Sequence, residues 1–274
     1  MMRQVLLAVQ FLTIVPVKVK GDITEQDVAG SAAFFPLAGA LQGLLTAVPA
    51  LLLIKVLPAE IAAAFALLFL IVSNGGFDLD GLADTADALA VKSSGDAECD
   101  RSKRLSVMKD SSSGAMGVIA LMMAVLLKFV LMQRLLADFS SFAAAAIFFL
   151  MPAFSKWITV PAMYHGTSAR KDGLGKMFIE HTGAASVIIS TGIVLLLSLS
   201  VSSMDLIAAS FVPGIEFCIA SVIGLYLFGL VAIKFLAKRF GGLTGDHFGA
   251  MTEISEILFL LAAYIWLPHT TIPA

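Results

Sequence analysis

The sequence predicts an all-α, polytopic integral membrane bundle of about seven transmembrane helices plus an N-terminal interfacial helix, forming a single domain over residues 1–274. Composition is the first ground. Of the 274 residues 59% are hydrophobic and 14% charged, where soluble domains carry about a quarter charged, and the mean hydropathy is +0.94. The second ground is arrangement, since the apolar residues come in runs near the ~20 residues a helix needs to cross a bilayer. The third is the one-sided distribution of Lys and Arg described below.

The opening segment MMRQVLLAVQFLTIVPVKVK has an apolar stretch of only ~14 residues, short for a span. It ends in Pro16, Lys18 and Lys20 and lacks a small-residue cleavage site. An interfacial or re-entrant helix fits it better than a cleaved signal peptide. Apolar runs follow at 31–54, 57–74, 114–136, 139–160, 184–203, 206–233 and 253–269. The second and last are short, which suits re-entrant segments or helices buried in protein. Pro36 and Pro49 in the first run and Pro213 in the sixth are candidate kinks.

Three polar segments, 75–113, 161–183 and 234–252, separate the runs and fall on the side of the N-terminus. Fourteen of the 18 Lys and Arg lie there or in the N-terminal segment; Lys55 and Arg134 lie in the opposite turns, and Lys128 and Lys156 within runs. That asymmetry makes the polar segments cytoplasmic in a cytoplasmic (inner) membrane. The net charge of −2 carries no basic surplus, so nucleic acid is not expected as a partner. Cys99 and Cys218 have neither metal-ligand spacing nor a disulfide framework, and the four histidines are scattered.

The densest acid is in GGFDLDGLADTADALA, residues 75–90. On a helix Asp80, Asp84 and Asp87 fall at i, i+4 and i+7, one face. Carboxylates on one stripe repel each other unless a cation neutralises them, and hard divalent ions take such ligands together with substrate phosphates. Gly81 leaves the backbone open to close approach. A solvated acidic loop with Asp80 as an N-cap is the alternative.

In RSKRLSVMKDSSSGAMG, residues 101–117, a basic cluster precedes Asp110, three serines and two glycines. This suits a helix N-terminus that receives anions. Arg104, Lys109 and Ser111 are candidate phosphate contacts, and Asp110 either joins the metal set or caps the helix. Arg101 and Lys103 suit phosphate and anionic lipid headgroups equally. In KRFGGLTGDHFGAMTEISEI, residues 238–257, Gly241-Gly242 and Asp246 repeat the spacing of Gly75-Gly76 and Asp80. Asp246 and Glu253 are further substrate-side candidates. Glu256, inside an apolar run, is either a ligand or a partner for Lys156 or Lys128. Thr244 and His247 read equally as site or turn residues. Arg170 and Lys171 in YHGTSARKDGLGKMF, residues 164–178, belong to an anion-binding lid or to a plain basic loop. Acids and cations at one mouth are what phosphoryl transfer requires.

QFLTIVPV (10–17), SAAFFPLAGALQG (31–43), GGFDLDGLADTADAL (75–89), MKDSSSGAMG (108–117), ARKDGLG (169–175) and GGLTGDHFGAMTEISE (241–256), in this order, resemble the cobalamin synthase family, the adenosylcobinamide-GDP ribazoletransferases. The resemblance implies a Mg²⁺-dependent membrane enzyme of late cobalamin biosynthesis. Such an enzyme joins adenosylcobinamide-GDP to α-ribazole or its 5′-phosphate and releases GMP. A ribose hydroxyl would attack the cobinamide-side phosphorus. Matched to the family's motifs, Asp80, Asp84 and Asp87 go to Mg²⁺ and Asp87 doubles as base. Lys109 and Asp110 match the M-K-D-S segment, with Lys109 as a catalytic cation, and Asp246 matches G-G-x-T-G-D. The family usually has histidine at the place of Asp78, glycine at Ala88 and a basic residue at Ser112. The first departure either adds a metal ligand or removes a substrate contact.

Two other classes stand beside this reading. The D-G-x-x-A core at 80–83 is similar to CDP-alcohol phosphotransferases, whose full motif fails because Asp84 follows Ala83. A cation-coupled transporter would use carboxylates near the bilayer midplane, not at its rim. The partners expected are small-molecule substrates and membrane lipid, and the sequence leaves an oligomer open.

Overall fold

Apolar runs broken by glycine, proline and short polar turns become helices, and in the computed structural model helices account for the whole architecture. The structure describes residues 1–110, 112–208 and 214–267, and among them there is no strand, only an isolated parallel bridge between Ser168 and Leu243. The helices are α1 (Met2–Leu12), α2 (Glu25–Ser31), α3 (Phe35–Leu53) after a short 3₁₀ turn, α4 (Ala59–Ser73), α5 (Phe77–Leu89), α6 (Ala97–Val107), α7 (Ala115–Asp138), α8 (Ser141–His165), α9 (Leu174–His181), α10 (Ala184–Ala208), α11 (Ile215–Phe240) and α12 (Gly245–Trp266). Six stretches are long and apolar enough to cross a membrane, and the bent pair α4–α5 is a candidate seventh. Leu52, Met122, Ile188, Leu196, Val231 and Ile265 face outward, an apolar girdle that water would not tolerate and lipid does. The chain is a multi-pass membrane protein.

The run 57–74 becomes α4, ending at Ser73 much as the sequence reading has it, and α5 leaves it at 84°. Gly76 adopts φ 78°, a left-handed conformation that glycine takes without steric cost, and Asn74 Oδ1 accepts its N–H at 2.8 Å. α5 therefore turns across the polar mouth and does not continue the line of α4. Two later boundaries differ from the sequence reading. The sixth run, read as 206–233, appears as α11 from Ile215 to Phe240. The last run, read as starting at 253, begins at Gly245 in α12, so Asp246, Glu253 and Glu256 share one helix. Pro36 sits in the first turn of α3, where a missing N–H breaks no bond, and Pro49 lies inside the helix. Pro213 lies outside the described residues.

The bundle is organised around α8, which is buried along almost its whole length. Its closest neighbour is α3. A Cβ on Gly39 would fall 2.2 Å from Pro152 O and one on Gly43 2.1 Å from Phe149 O. This small-xxx-small pair lets two backbones touch, and dispersion then replaces the hydrophobic drive that lipid cannot supply. The N-terminal helix is tied on by Gln42 Nε2, which donates to Leu12 O at 2.8 Å in a buried position.

Two charge clusters are buried in the bundle. Lys128 of α7, fully buried, meets Glu253 at 2.7 Å and Glu256 at 2.8 Å, and Ser155 of α8 donates to Glu256 at 3.4 Å. Lys156 of α8 pairs with Asp78 of α5, which also accepts from Asn74 Nδ2 at 2.6 Å.

The three polar segments meet at one end, as their common sidedness predicts. The loop after α8 is stitched to the turn before α12, with Leu243 N–H donating to Thr167 O at 2.7 Å and Ala169 N–H to Leu243 O at 2.9 Å. Arg104 Nη1 donates to Arg239 O at 3.2 Å, tying α6 to the last turn of α11.

Candidate active site

The Gly-Gly turns that looked alike in sequence do prepare the same thing: a helix aimed at the same mouth. Gly241, like Gly76, is left-handed, at φ 81°, and redirects the chain into α12. α5 and α12 then cross at their glycines. A Cβ on Gly81 would lie 2.6 Å from Asp246 O, and one on Gly249 3.0 Å from Asp78 O. That crossing brings Asp246 to the acidic stripe of α5.

Asp84 is the centre of the result. Partial burial and the negative charges of Asp80, Asp246 and Asp87 push its pKa up to about 6, with Arg170 opposing them. Arg170 Nη2 donates to Asp246 Oδ2 at 3.0 Å, and Thr244 Oγ1 donates to the same oxygen at 3.2 Å. Four carboxylates thus gather on one face with one guanidinium beside them. Excess negative charge of this kind is relieved by a cation. Among the described residues no three His, Cys, Asp or Glu side chains are placed to hold a metal ion unaided. That donor set suits Mg²⁺, which keeps several waters and is bound through one or two carboxylates plus substrate phosphates, not in an all-protein cage.

The other sequence candidates divide. Asp87, read as the base, instead accepts from Gly114 N–H and Gly117 N–H at 2.7 Å each, one on each oxygen. Its carboxylate caps the start of α7, where four backbone N–H groups lack helical partners. Asp110 is held by its own turn. The Ser112 hydroxyl at 2.7 Å and amide at 3.0 Å keep its carboxyl below the usual carboxylate range, and it is not among the charges that act on Asp84. Lys109 and Lys171 are exposed at the rim, with no ion pair among the described residues. Ser111 lies outside the described residues. Arg104, expected on phosphate, is buried and joined to Arg239 O, near Asp100. Glu253, expected on the substrate side, is instead buried and paired with Lys128. Glu256 takes Lys128, one of the two partners offered by the sequence. Thr244 and His247 form the turn itself: Thr244 N–H donates to His247 Nδ1 at 3.0 Å, so the imidazole's other nitrogen carries any proton of the neutral ring.

Residues 4–264 match the Cobalamin-5-phosphate synthase family. The chain belongs to that family. Its curated relatives include an adenosylcobinamide-GDP ribazoletransferase of Thermodesulfovibrio yellowstonii, 37% identical over 98% of this chain and 100% of the relative. Another so named, from Acinetobacter baumannii, is 35% identical over 93% and 94%, and one from Geotalea daltonii 34% over 95% and 96%. No solved structure matches the chain.

Family membership does not say what each acid does, and Asp87 shows the difference. Removing its carboxylate leaves two N–H groups of α7 without acceptors. Asp87→Ala should therefore lower stability by about 1–2 kcal/mol, the scale of a lost helix cap, read as a fall in thermal midpoint in detergent. An unchanged midpoint would refute the capping role. Sequence reasoning also missed Lys156 as the partner of Asp78. The signal was there, a lysine inside an apolar run, though nothing local paired it with an acid 78 residues earlier.

Proposed function

We propose that this chain joins adenosylcobinamide-GDP to α-ribazole or α-ribazole 5′-phosphate and releases GMP, at the cytoplasmic face of the inner membrane. The carrying observation is the crowd of carboxylates around Asp84 with Arg170 beside it. It fits a diphosphate substrate brought in with a divalent cation. The names of full-length relatives supply the substrates, and the concentration of Lys and Arg on the polar segments supports the cytoplasmic orientation.

In the reaction a ribose hydroxyl oxygen forms a bond to the cobinamide-side phosphorus, the bridging P–O bond to GMP breaks, and the hydroxyl proton is released. Asp80 and Asp84 would hold Mg²⁺, which supplies neutralisation of phosphate oxygens and a template for the diphosphate. Arg170, oriented by Asp246, presents its remaining N–H donors to phosphate, for which a planar guanidinium is suited. Lys109 and Lys171 add positive charge at the rim, where GMP departs. Asp87 contributes by fixing α7 against α5.

The test is direct. Detergent-purified protein given adenosylcobinamide-GDP, α-ribazole and Mg²⁺ should release GMP, and chelation should stop it. CDP-linked lipid donors should yield no product. No GMP with either ribazole form would overturn the reading.

A further inference from the structure

Next to the acidic mouth, and separate from it, lies a cavity of about 110 Å³ enclosed by α1, α3, α5, α8, α9 and α12. Its wall is aromatic: Phe11, Phe35, Phe77, Phe178 and Phe248. Four of these rings form one array, with Phe11 at 5.2 Å from Phe178 and 6.1 Å from both Phe35 and Phe77, and Phe35 at 5.4 Å from Phe178. The array is open on one side, because Phe77 is 50% and Leu174 57% exposed. The cavity also has a polar edge, made by the Asp78–Lys156 pair. Both hydrogen bonds to Asp78 end on Oδ2, so Oδ1 has no partner among the described residues. Of the three N–H donors on Lys156, one is used. Gly245, which precedes Asp246, and Gly249, which touches Asp78, line the same space, so it adjoins the reacting end.

Resting on the function proposed above, we infer that this cavity is the subsite for the aromatic base of the ribazole acceptor, with Phe77 and Leu174 at its entrance and the Asp78–Lys156 pair at its polar edge. Size selects among the substrates' parts. An apolar cavity of about 150 Å³ takes up benzene, so one of about 110 Å³ that is open on one side takes the edge of a flat ring system, the rest lying in the mouth between Phe77 and Leu174, and cannot admit a corrin. Chemistry selects between the two bases. Guanine carries donors and acceptors around most of its edge, and in a phenylalanine-lined space most would lose water without gaining a partner. A nearly apolar bicyclic base with one nitrogen edge meets rings on its faces and one donor–acceptor pair at its rim.

The test separates this subsite from the reaction. Equilibrium dialysis of the purified protein, with no donor present, would use benzimidazole, naphthalene and guanosine as probes. Benzimidazole should bind tightest; Phe77→Ala, which removes one aromatic contact, and Leu174→Trp, which narrows the entrance, should each weaken it about 3- to 10-fold. In turnover, the same variants should raise KM for α-ribazole by a similar factor and leave KM for adenosylcobinamide-GDP within about 2-fold. Both side chains are half exposed, so folding is not at stake. Guanosine binding best, naphthalene matching benzimidazole, or a shift confined to the KM for adenosylcobinamide-GDP would overturn the assignment. Failure of GMP release with benzimidazole binding intact would count against the reaction and leave the aromatic subsite standing.

Discussion

Asp84→Asn should abolish GMP release, by at least about 10²-fold in kcat, while making the protein more stable in the absence of divalent cations. The two effects share one cause. Asp84 sits among Asp80, Asp246 and Asp87, and its pKa is pushed up to about 6 because its anion is both partly desolvated and repelled. In metal-free protein the folded state keeps the Asp84 proton up to about pH 6, whereas the unfolded chain releases it near 3.8. Stability therefore falls as pH rises through that window, and the loss is complete above it. Asparagine removes the loss. After discounting for the exposed part of the side chain, the gain at neutral pH is about 1 kcal/mol. Thermal unfolding from pH 4 to 8 in detergent, with and without Mg²⁺, reads it. Wild type should lose midpoint with rising pH and regain it with Mg²⁺; the variant should do neither. Equal Mg²⁺ stabilisation of both proteins would remove Asp84 from the cation site.

The second large effect is structural. Lys128→Met should destabilise the protein by about 3–5 kcal/mol, because it strands two glutamates in a sealed interior. Glu253 and Glu256, each 2% exposed, have Lys128 as their common cation at 2.7 and 2.8 Å. The triple variant Lys128→Met, Glu253→Gln, Glu256→Gln should recover most of the loss, since no charge is then left unpaired. Midpoints of the single and triple variants decide the matter. A mild single variant, or a triple variant no better than the single, would show that the cluster does not act as paired charge.

These two cases also mark what could be read from the sequence. Hydropathy alone carried the bundle, because a spanning helix satisfies its own backbone and needs only a long apolar run. The sidedness of the polar segments followed from Lys and Arg counts, and the structure does bring those segments together. Individual roles were harder. Asp80, Asp84 and Asp87 share a helical face by spacing, yet only contacts with Gly114 and Gly117 distinguish Asp87 as a cap. Asp78 stood outside the stripe, and its role came from Lys156 on α8, beyond any local pattern. Glu253 looked like a rim residue because the last helix seemed to begin there; starting at Gly245 carries it two turns inward. Sequence periodicity assigns faces, and partners across helices assign functions.

The same triad bears on how the chain is made. Lys128 is synthesised 125 residues before Glu253, on a helix whose own sequence offers it no acid within reach. At ribosomal rates of about 5–20 residues per second, that is roughly 6–25 s during which a lysine destined for the interior has no counter-charge. Until α12 is made, Lys128 lacks both carboxylates that pair with it in the folded protein. Docking of α12 against α7 thus completes this cluster. A chain stopped before residue 253 would carry a lysine in an apolar segment without either of its counter-charges, a costly group to leave in lipid.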